Sequence, residues 1–233
     1  MPKVTAIISA YYAVPYLAGR IENLLEQGDI VEIAVVCSAG SEEHEIAKRY
    51  FQQGYEGQVF TVHPAGDAVP TIYAAWNMAI AHAAGEYLTS ANSDDRFYPG
   101  ALAKLAAVLD KHPEIAVVYA DVDIVKTIGG APVGRYEWAE GGLDKLLRGC
   151  FLGPMPMWRR ELHDKYGLFD AEMKSAGDYE FWLRLAAGGE AFHHLSEPLG
   201  AYMDRPDSAE HRQNVQAIWE TARARARYRP AKR

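Results

Sequence analysis

The stretch Gly85-Glu86-Tyr87-Leu88-Thr89-Ser90-Ala91-Asn92-Ser93-Asp94-Asp95-Arg96 decides how this 233-residue chain is read. Tyr87 to Ala91 reads as a buried strand, and it runs straight into two adjacent carboxylates. Upstream of it, the spacing predicts a helix over Thr71–Ala84, with Ile72, Ala75, Trp76, Ala79, Ile80 and Ala83 on one face and Gly85 as the breaker. The same strand-then-helix rhythm extends toward the N-terminus. Val4 to Ser9 is apolar, rich in β-branched residues and too short for a helix, so it reads as a strand sealed on both faces. Leu17, Ile21, Leu24 and Leu25 then form one helical stripe ending near Gly28. Ile33–Cys37, a charged helix Glu42–Gln53, and a strand Gln58–Val62 follow. Beyond the opening stretch, Leu102, Leu105, Val108 and Leu109 mark another helix.

Alternation of this kind predicts an α/β fold: a Rossmann-like, mostly parallel central sheet with helices on both faces and ligands bound beyond the carboxyl ends of the strands. After Ile115–Val125 the regularity decays into a stretch holding Gly129, Gly130, Pro132, Gly134, Gly141, Gly142, Gly153, Pro154 and Pro156, which reads as an irregular lobe packed on the same sheet. No internal repeat or low-complexity segment interrupts the chain.

Composition narrows the function. With 49% hydrophobic and 24% charged residues the chain can bury a core, which excludes a disordered or collagen-like protein. A formal charge of −7 argues against nucleic acid as a partner. Cys37 and Cys150 fit neither a disulfide scaffold nor a thiolate zinc site, and point to a reducing compartment. No signal peptide and no run of about 18 apolar residues is present, so the expected location is cytoplasmic.

Oxygen ligands at a strand's carboxyl end suit a hard divalent cation, Mg²⁺ or Mn²⁺, which bridges phosphate oxygens. The plainer alternative is that Asp94 or Asp95 caps the helix that follows. Asp178 opens a second series with Phe181, Trp182 and Leu185, so a helix starting there turns this carboxylate toward its apolar side. Its plainer alternative is a cap on free N–H groups of the same helix.

Five blocks in order, VTAIISAYYAVPYLAGRIENLLEQ (4–27), IYAAWNMAIAHAAGEYLTSANSDDR (72–96), HPEIAVVYAD (112–121), WRRELHDKYGLFD (158–170) and AGDYEFWLRLA (176–186), resemble the family 2 glycosyltransferases of the GT-A fold. That resemblance implies an inverting, hexosyltransferase-type enzyme that moves a sugar from a nucleotide diphosphate, UDP by default, to the hydroxyl of a saccharide or lipid-linked acceptor in the synthesis of cell-surface polysaccharide or other glycans. It implies one domain over residues 1–233, with a nucleotide-sugar half (1–125) and an acceptor half with a C-terminal helix (126–233). It makes the acidic pair a DxD-type element: Asp95 as the ligand of the divalent metal, Asp94 at the ribose or metal. It places Ser9, Ala10 and Tyr11 along the nucleobase, and Asp178 as the general base. Glu180, two residues on, is expected to be solvated or to sit behind the site.

The sequence departs from the family's pattern in three places. Asn92 stands at the first position of the usual DxDD form. The second strand ends Cys37-Ser38-Ala39-Gly40-Ser41, where relatives carry an acid, leaving Ser38 as the hydrogen-bonding group. Gly177 stands where many relatives have Glu.

Met155, Met157 and Trp158, with Trp138, read either as an acceptor wall or as buried packing. His211 sits in a segment able to close over a diphosphate. The basic tail (Arg223, Arg225, Arg227, Arg229, Lys232, Arg233), behind Val215, Ile218 and Trp219, reads either as charge suited to a helix C-terminus or as a peripheral contact with anionic lipid on the inner face of a membrane. Two rivals stand beside the enzyme: a nucleotidyltransferase, disfavoured because Ser9–Pro15 lacks Gly, Lys and Arg, and a catalytically inactive nucleotide-sugar-binding protein, suggested by Asn92.

Overall fold

The run Val4–Ser9 forms strand β1 because both of its faces are sealed. Val4, Ala6 and Ile8 pack into one core and Ile7 into another, all fully buried. The computed structural model describes residues 1–55, 57–66, 69–205 and 215–229. Around β1 the chain forms α1 (Val14–Leu25), β2 (Val31–Val36), α2 (Glu42–Tyr50), β3 (Val59–Val62), α3 (Ile72–His82) and β4 (Tyr87–Ser90). Then come β5 (Arg96–Phe97), α4 (Ala101–Lys111), β6 (Ile115–Val125), β7 (Gly134–Tyr136), α5 (Leu143–Leu146), β8 (Met157–Arg159), α6 (Leu162–Tyr166), α7 (Gly177–Ala187), β9 (Ala191–Met203) and α8 (Val215–Tyr228).

One sheet carries these strands in the order β3-β2-β1-β4-β8-β6-β9-β5, with β7 on the flank of β6. The first four are parallel, as the alternation predicts. Beyond β4 the sheet is mixed: β8 inserts antiparallel between β4 and β6, β9 runs parallel to β6, and β5 pairs antiparallel with β9. The stretch that reads as irregular therefore supplies a central strand. Leu17, Ile21 and Leu24 of α1 and Leu102 and Leu105 of α4 cover one face, while Trp76 and Ala79 of α3 and Phe181 and Trp182 of α7 cover the other. Gly85 lets β4 begin against β1, since a Cβ there would lie 2.5 Å from the Thr5 nitrogen.

Candidate active site

Because β1 to β4 are parallel, the segments that leave them emerge at one edge of the sheet. Ser9 closes β1, Ala10 is buried and donates its N–H to Val36 O at 2.8 Å, and Tyr11 is half-buried beside Ser38, its hydroxyl pushed above the usual phenol range by burial. Ala10 can therefore meet a ligand only through its backbone. The neighbouring Tyr12 is exposed and holds a left-handed φ of 57°, an arrangement that non-glycine residues seldom adopt outside tight functional turns.

Sequence reasoning passed over two groups at this edge. His63, just past β3, lies 2.9 Å from Cys37 O through Nδ1, and its ring meets that of His44 at 4.5 Å. Glu43 is buried and accepts from Ala13 N–H at 3.1 Å, which pins the loop after β1. The signal for His63 is its place directly after a predicted parallel strand, at the edge where ligands of such sheets bind.

The acidic pair is divided by the fold. Asp95 is 1% exposed, and both of its carboxylate oxygens are engaged: Oδ1 accepts from Met203 N–H and Oδ2 from the Asn92 amide, each at 3.1 Å. Beneath it the fully buried Arg20 donates to Asp95 O at 3.0 Å and lies 4.7 Å from the Phe97 ring centroid. Burial, then the neighbouring Asp94, raises Asp95 to about 7, against the pull of Arg20. Burial likewise lowers Arg20 to about 9. Asp94 is less enclosed than Asp95 but still mostly covered, its side chain 17% exposed and paired at 2.8 Å with Arg205, whose guanidinium lies over Tyr16. Asn92, at the departed first position of the motif, thus serves the anchor rather than the cleft.

Among the described residues no group of three or more His, Cys, Asp or Glu could hold a metal ion by itself. The donor set at the turn still suits one kind of ion. A hard divalent cation can take a single protein carboxylate and complete its shell with phosphate oxygens and water. Of the two carboxylates at the turn, Asp94 is the less enclosed, and its Oδ2 is paired with Arg205.

Asp178 lies in the first turn of α7, past the cap position. Ala176 is the N-cap and offers no side-chain hydrogen bond; Asp178 is therefore not the N-cap residue, although its carboxylate does take one free N–H of the same helix's first turn, that of Tyr179, as the plainer alternative expects. Glu220 of α8 fills that role from outside: its buried carboxylate accepts from the N–H groups of Lys174 (3.0 Å), Ser175 (2.9 Å) and Ala176 (3.0 Å). Asp178 Oδ1 accepts from Tyr73 Oη at 2.9 Å and from Tyr179 N–H at 2.8 Å. Burial raises Asp178 above the usual carboxylate range, and those two hydrogen bonds moderate the rise. Tyr73 is the second residue of α3, which starts at the carboxyl edge because it follows β3. Asp178 and Asp94 therefore belong to the same edge of the sheet.

Several expectations need correction. Of the two expectations for Glu180, the solvated one fails: it is fully buried, paired with Arg184 and Arg227 and accepting from Tyr228 Oη at 2.5 Å, because α8 packs over α7. Met155, Met157 and Trp158 are core residues, with Trp158 donating to His163 Nε2 at 2.9 Å, so they form no acceptor wall. Trp138 is half-buried and stacks on Tyr136 at 5.1 Å. His211, Lys232 and Arg233 lie outside the described residues. Two open hollows, about 580 and 500 Å³, lie near Arg159 and near Tyr50 and contain none of the candidate residues. No helix among the described residues is long and apolar enough to cross a membrane.

Known proteins resemble this chain in sequence and in fold. Chondroitin synthase of Pasteurella multocida (strain Pm70) is 26% identical over 201 residues, covering 84% of this chain and 20% of that protein. The uncharacterized glycosyltransferase YwdF of Bacillus subtilis (strain 168) is 27% identical over 191 residues, 79% of this chain and 68% of YwdF. Among solved structures, S. aureus TarS 1–349 in complex with UDP-GlcNAc superposes with a TM-score of 0.74 at 19% identity, over 97% of this chain and 66% of that one. The mannosyltransferase PcManGT from Pyrobaculum calidifontis, in complex with GDP-Man and Mn²⁺, gives 0.74 at 20% identity over 99% and 66%. The chain thus spans about a fifth of the length of the synthase it matches, and its fold is GT-A. Residues 5–167 match the profile of "Glycosyl transferase family 2", and the chain belongs to that family.

Proposed function

We propose that the chain is an inverting glycosyltransferase domain that transfers a sugar from a nucleotide-diphosphate sugar to an acceptor hydroxyl, in one domain whose first half (1–125) holds the donor and whose second half receives the acceptor. The observation that carries this reading is that Asp178, with one oxygen held by Tyr73, and Asp94, part-exposed and paired with Arg205, belong to the same sheet edge. Asp178 Oδ2 takes the proton of the acceptor hydroxyl as that oxygen forms its bond to the anomeric carbon, and the bond to the diphosphate breaks with its electron pair on the leaving oxygen. The raised proton affinity of Asp178 suits it to this task. A Mn²⁺ or Mg²⁺ ion would neutralise charge on the diphosphate. Asp94 is the residue we assign to such an ion, and Asp95 is the anchor that fixes the turn. Tyr11, with the Ser9 and Ala10 backbone and Ser38, lines the base. UDP is the working donor, as in the UDP-GlcNAc complex of TarS, whereas the GDP-Man complex of PcManGT shows a different base on the same fold.

Incubation of candidate donors and acceptors with Mn²⁺ tests this directly. Transfer should fall about 10³-fold in Asp178→Asn with donor binding retained, while Asp94→Asn should weaken metal-dependent donor binding. Normal turnover in Asp178→Asn removes the base assignment. The second reading, a nucleotide-sugar-binding protein without turnover, is favoured by Asn92 and would show donor binding with no release of nucleotide diphosphate.

The acceptor, a saccharide or lipid-linked sugar, is met at a membrane surface to which α8 attaches the chain. Its outer face exposes Val215, Ile218 and Trp219, with Arg223 lying 5.3 Å over Trp219. Co-sedimentation with anionic vesicles, lost in Trp219→Asp, is the expected result; equal recovery with neutral vesicles would refute it.

A further inference from the structure

We infer that Tyr73 is a positioning residue for Asp178, and that Gly177 is glycine because the Tyr73 ring occupies the space a side chain there would need. A Cβ built on Gly177 would lie 2.6 to 2.8 Å from Cδ2, Cγ and Cε2 of Tyr73, closer than real Cβ contacts allow. The two positions are therefore coupled: the absent side chain at 177 and the aromatic ring at 73 are one arrangement. The ring packs edge-on against Trp76 at 5.5 Å and beside Phe169 at 6.0 Å, which fixes where its hydroxyl points. That hydroxyl donates to Asp178 Oδ1, which also takes the Tyr179 amide. No other residue among the described ones donates a hydrogen bond to Oδ2; the one further donor to the carboxylate is Asp178's own N–H. The arrangement sets one carboxylate oxygen as the held atom and the other as the reacting one. This inference rests on Asp178 being the base.

Tyr73 also bears on proton affinity. A donor to an ionised carboxylate favours the charged form, so the hydroxyl keeps Asp178 ionised at lower pH than burial alone would. Other groups near Asp178 are the Cys150 thiol, which burial and then Asp178 push up to about 12, and two residues of α8. Of these, Arg225 donates to Tyr179 Oη at 2.9 Å and Glu220 holds the amides of residues 174–176. None of them is altered by removing one hydroxyl from residue 73.

The test is Tyr73→Phe, which keeps the ring and its packing. The expected result is a drop in kcat of about tenfold with donor KM unchanged, and an acid limb of the kcat profile displaced to higher pH. A carboxyl-carbon NMR titration of Asp178 in both proteins should show the same displacement without depending on turnover. Gly177→Ala, which pushes the ring aside, should reproduce the kcat loss. Wild-type kcat and an unmoved acid limb in Tyr73→Phe, with Asp178→Asn inactive, would overturn the positioning role and leave the base assignment standing. Activity retained in Asp178→Asn would instead sink the base assignment itself.

Discussion

The turn at residues 92–96 and the turn at residues 174–178 both bring a carboxylate to the carboxyl edge of the sheet, and they are tied down in different ways. In the first, the anchor sits next to the residue we assign to a metal ion: Asp95 is buried over Arg20 with both oxygens engaged, and Asp94 is part-exposed and paired with Arg205. In the second, the anchors come from elsewhere in the chain. Glu220 reaches back 44 to 46 residues to hold the turn, and Tyr73 reaches forward 105 to hold Asp178. A buried carboxylate with both oxygens occupied is scaffold, whereas one with an oxygen to spare can exchange a proton. That difference matters more here than proton affinity, since burial raises both Asp95 and Asp178.

The contrast is broken most forcefully at Glu220. Its carboxylate accepts three backbone N–H groups and the Gln216 amide, so Glu220→Gln should cost about 2 kcal/mol of stability, read by denaturant melts, because one acceptor becomes a donor facing N–H groups. The pH dependence identifies its source. Burial raises the Glu220 pKa but the amides of Lys174 and Ser175 bring it below the usual value, so its contribution is present above the unfolded pKa and is lost as pH falls. In Glu220→Gln, the acid-side loss of stability should shrink. An unchanged melt would show that the turn is held by other contacts.

A smaller effect of opposite sign is expected at the other turn. Asp95 binds its proton more tightly in the fold, about 7 against a reference of 3.8, so the folded state holds more protons between those values and stability falls as pH rises through that window. Asp95→Asn can still accept from Met203 N–H and carries no charge to bury. Its unfolding free energy, read by denaturant melts, should therefore decline less than that of the parent between pH 4 and pH 7, by an amount on the order of 1 kcal/mol once the balancing charge of Arg20 is allowed for. Parallel curves for the two proteins would mean that Asp95 is ionised in the fold throughout and paired more strongly with Arg20 than its geometry suggests.

The legibility of the two turns follows from the same contrast. Val4–Ser9, Thr71 as the start of α3 and the strand before Asn92 could be read because runs of apolar residues and capping side chains act over a few positions; Thr71 does cap α3, accepting from Ala74 N–H at 3.1 Å. Strand β8 could not be read this way. It is three residues long, in a stretch dense in Gly and Pro, and it is a strand because β4 and β6 offer hydrogen bonds to both of its edges. Glu180 shows the same limit: helical spacing alone turns it away from Asp178, but only the packing of α8 explains why it is buried.

By itself, the sequence determined the alternation of strands and helices, hence the parallel half of the sheet and the edge at which Ser9, Tyr11, Ser38 and the acidic pair gather. Those features depend on local periodicity, which is written into the order of residues. The tertiary structure alone decided which member of the acidic pair is buried, that Glu220 completes the turn before α7, and that Tyr73 fills the space left at Gly177. Each of these is a contact between distant segments, and its energy comes from satisfying buried polar groups that no single segment could satisfy alone.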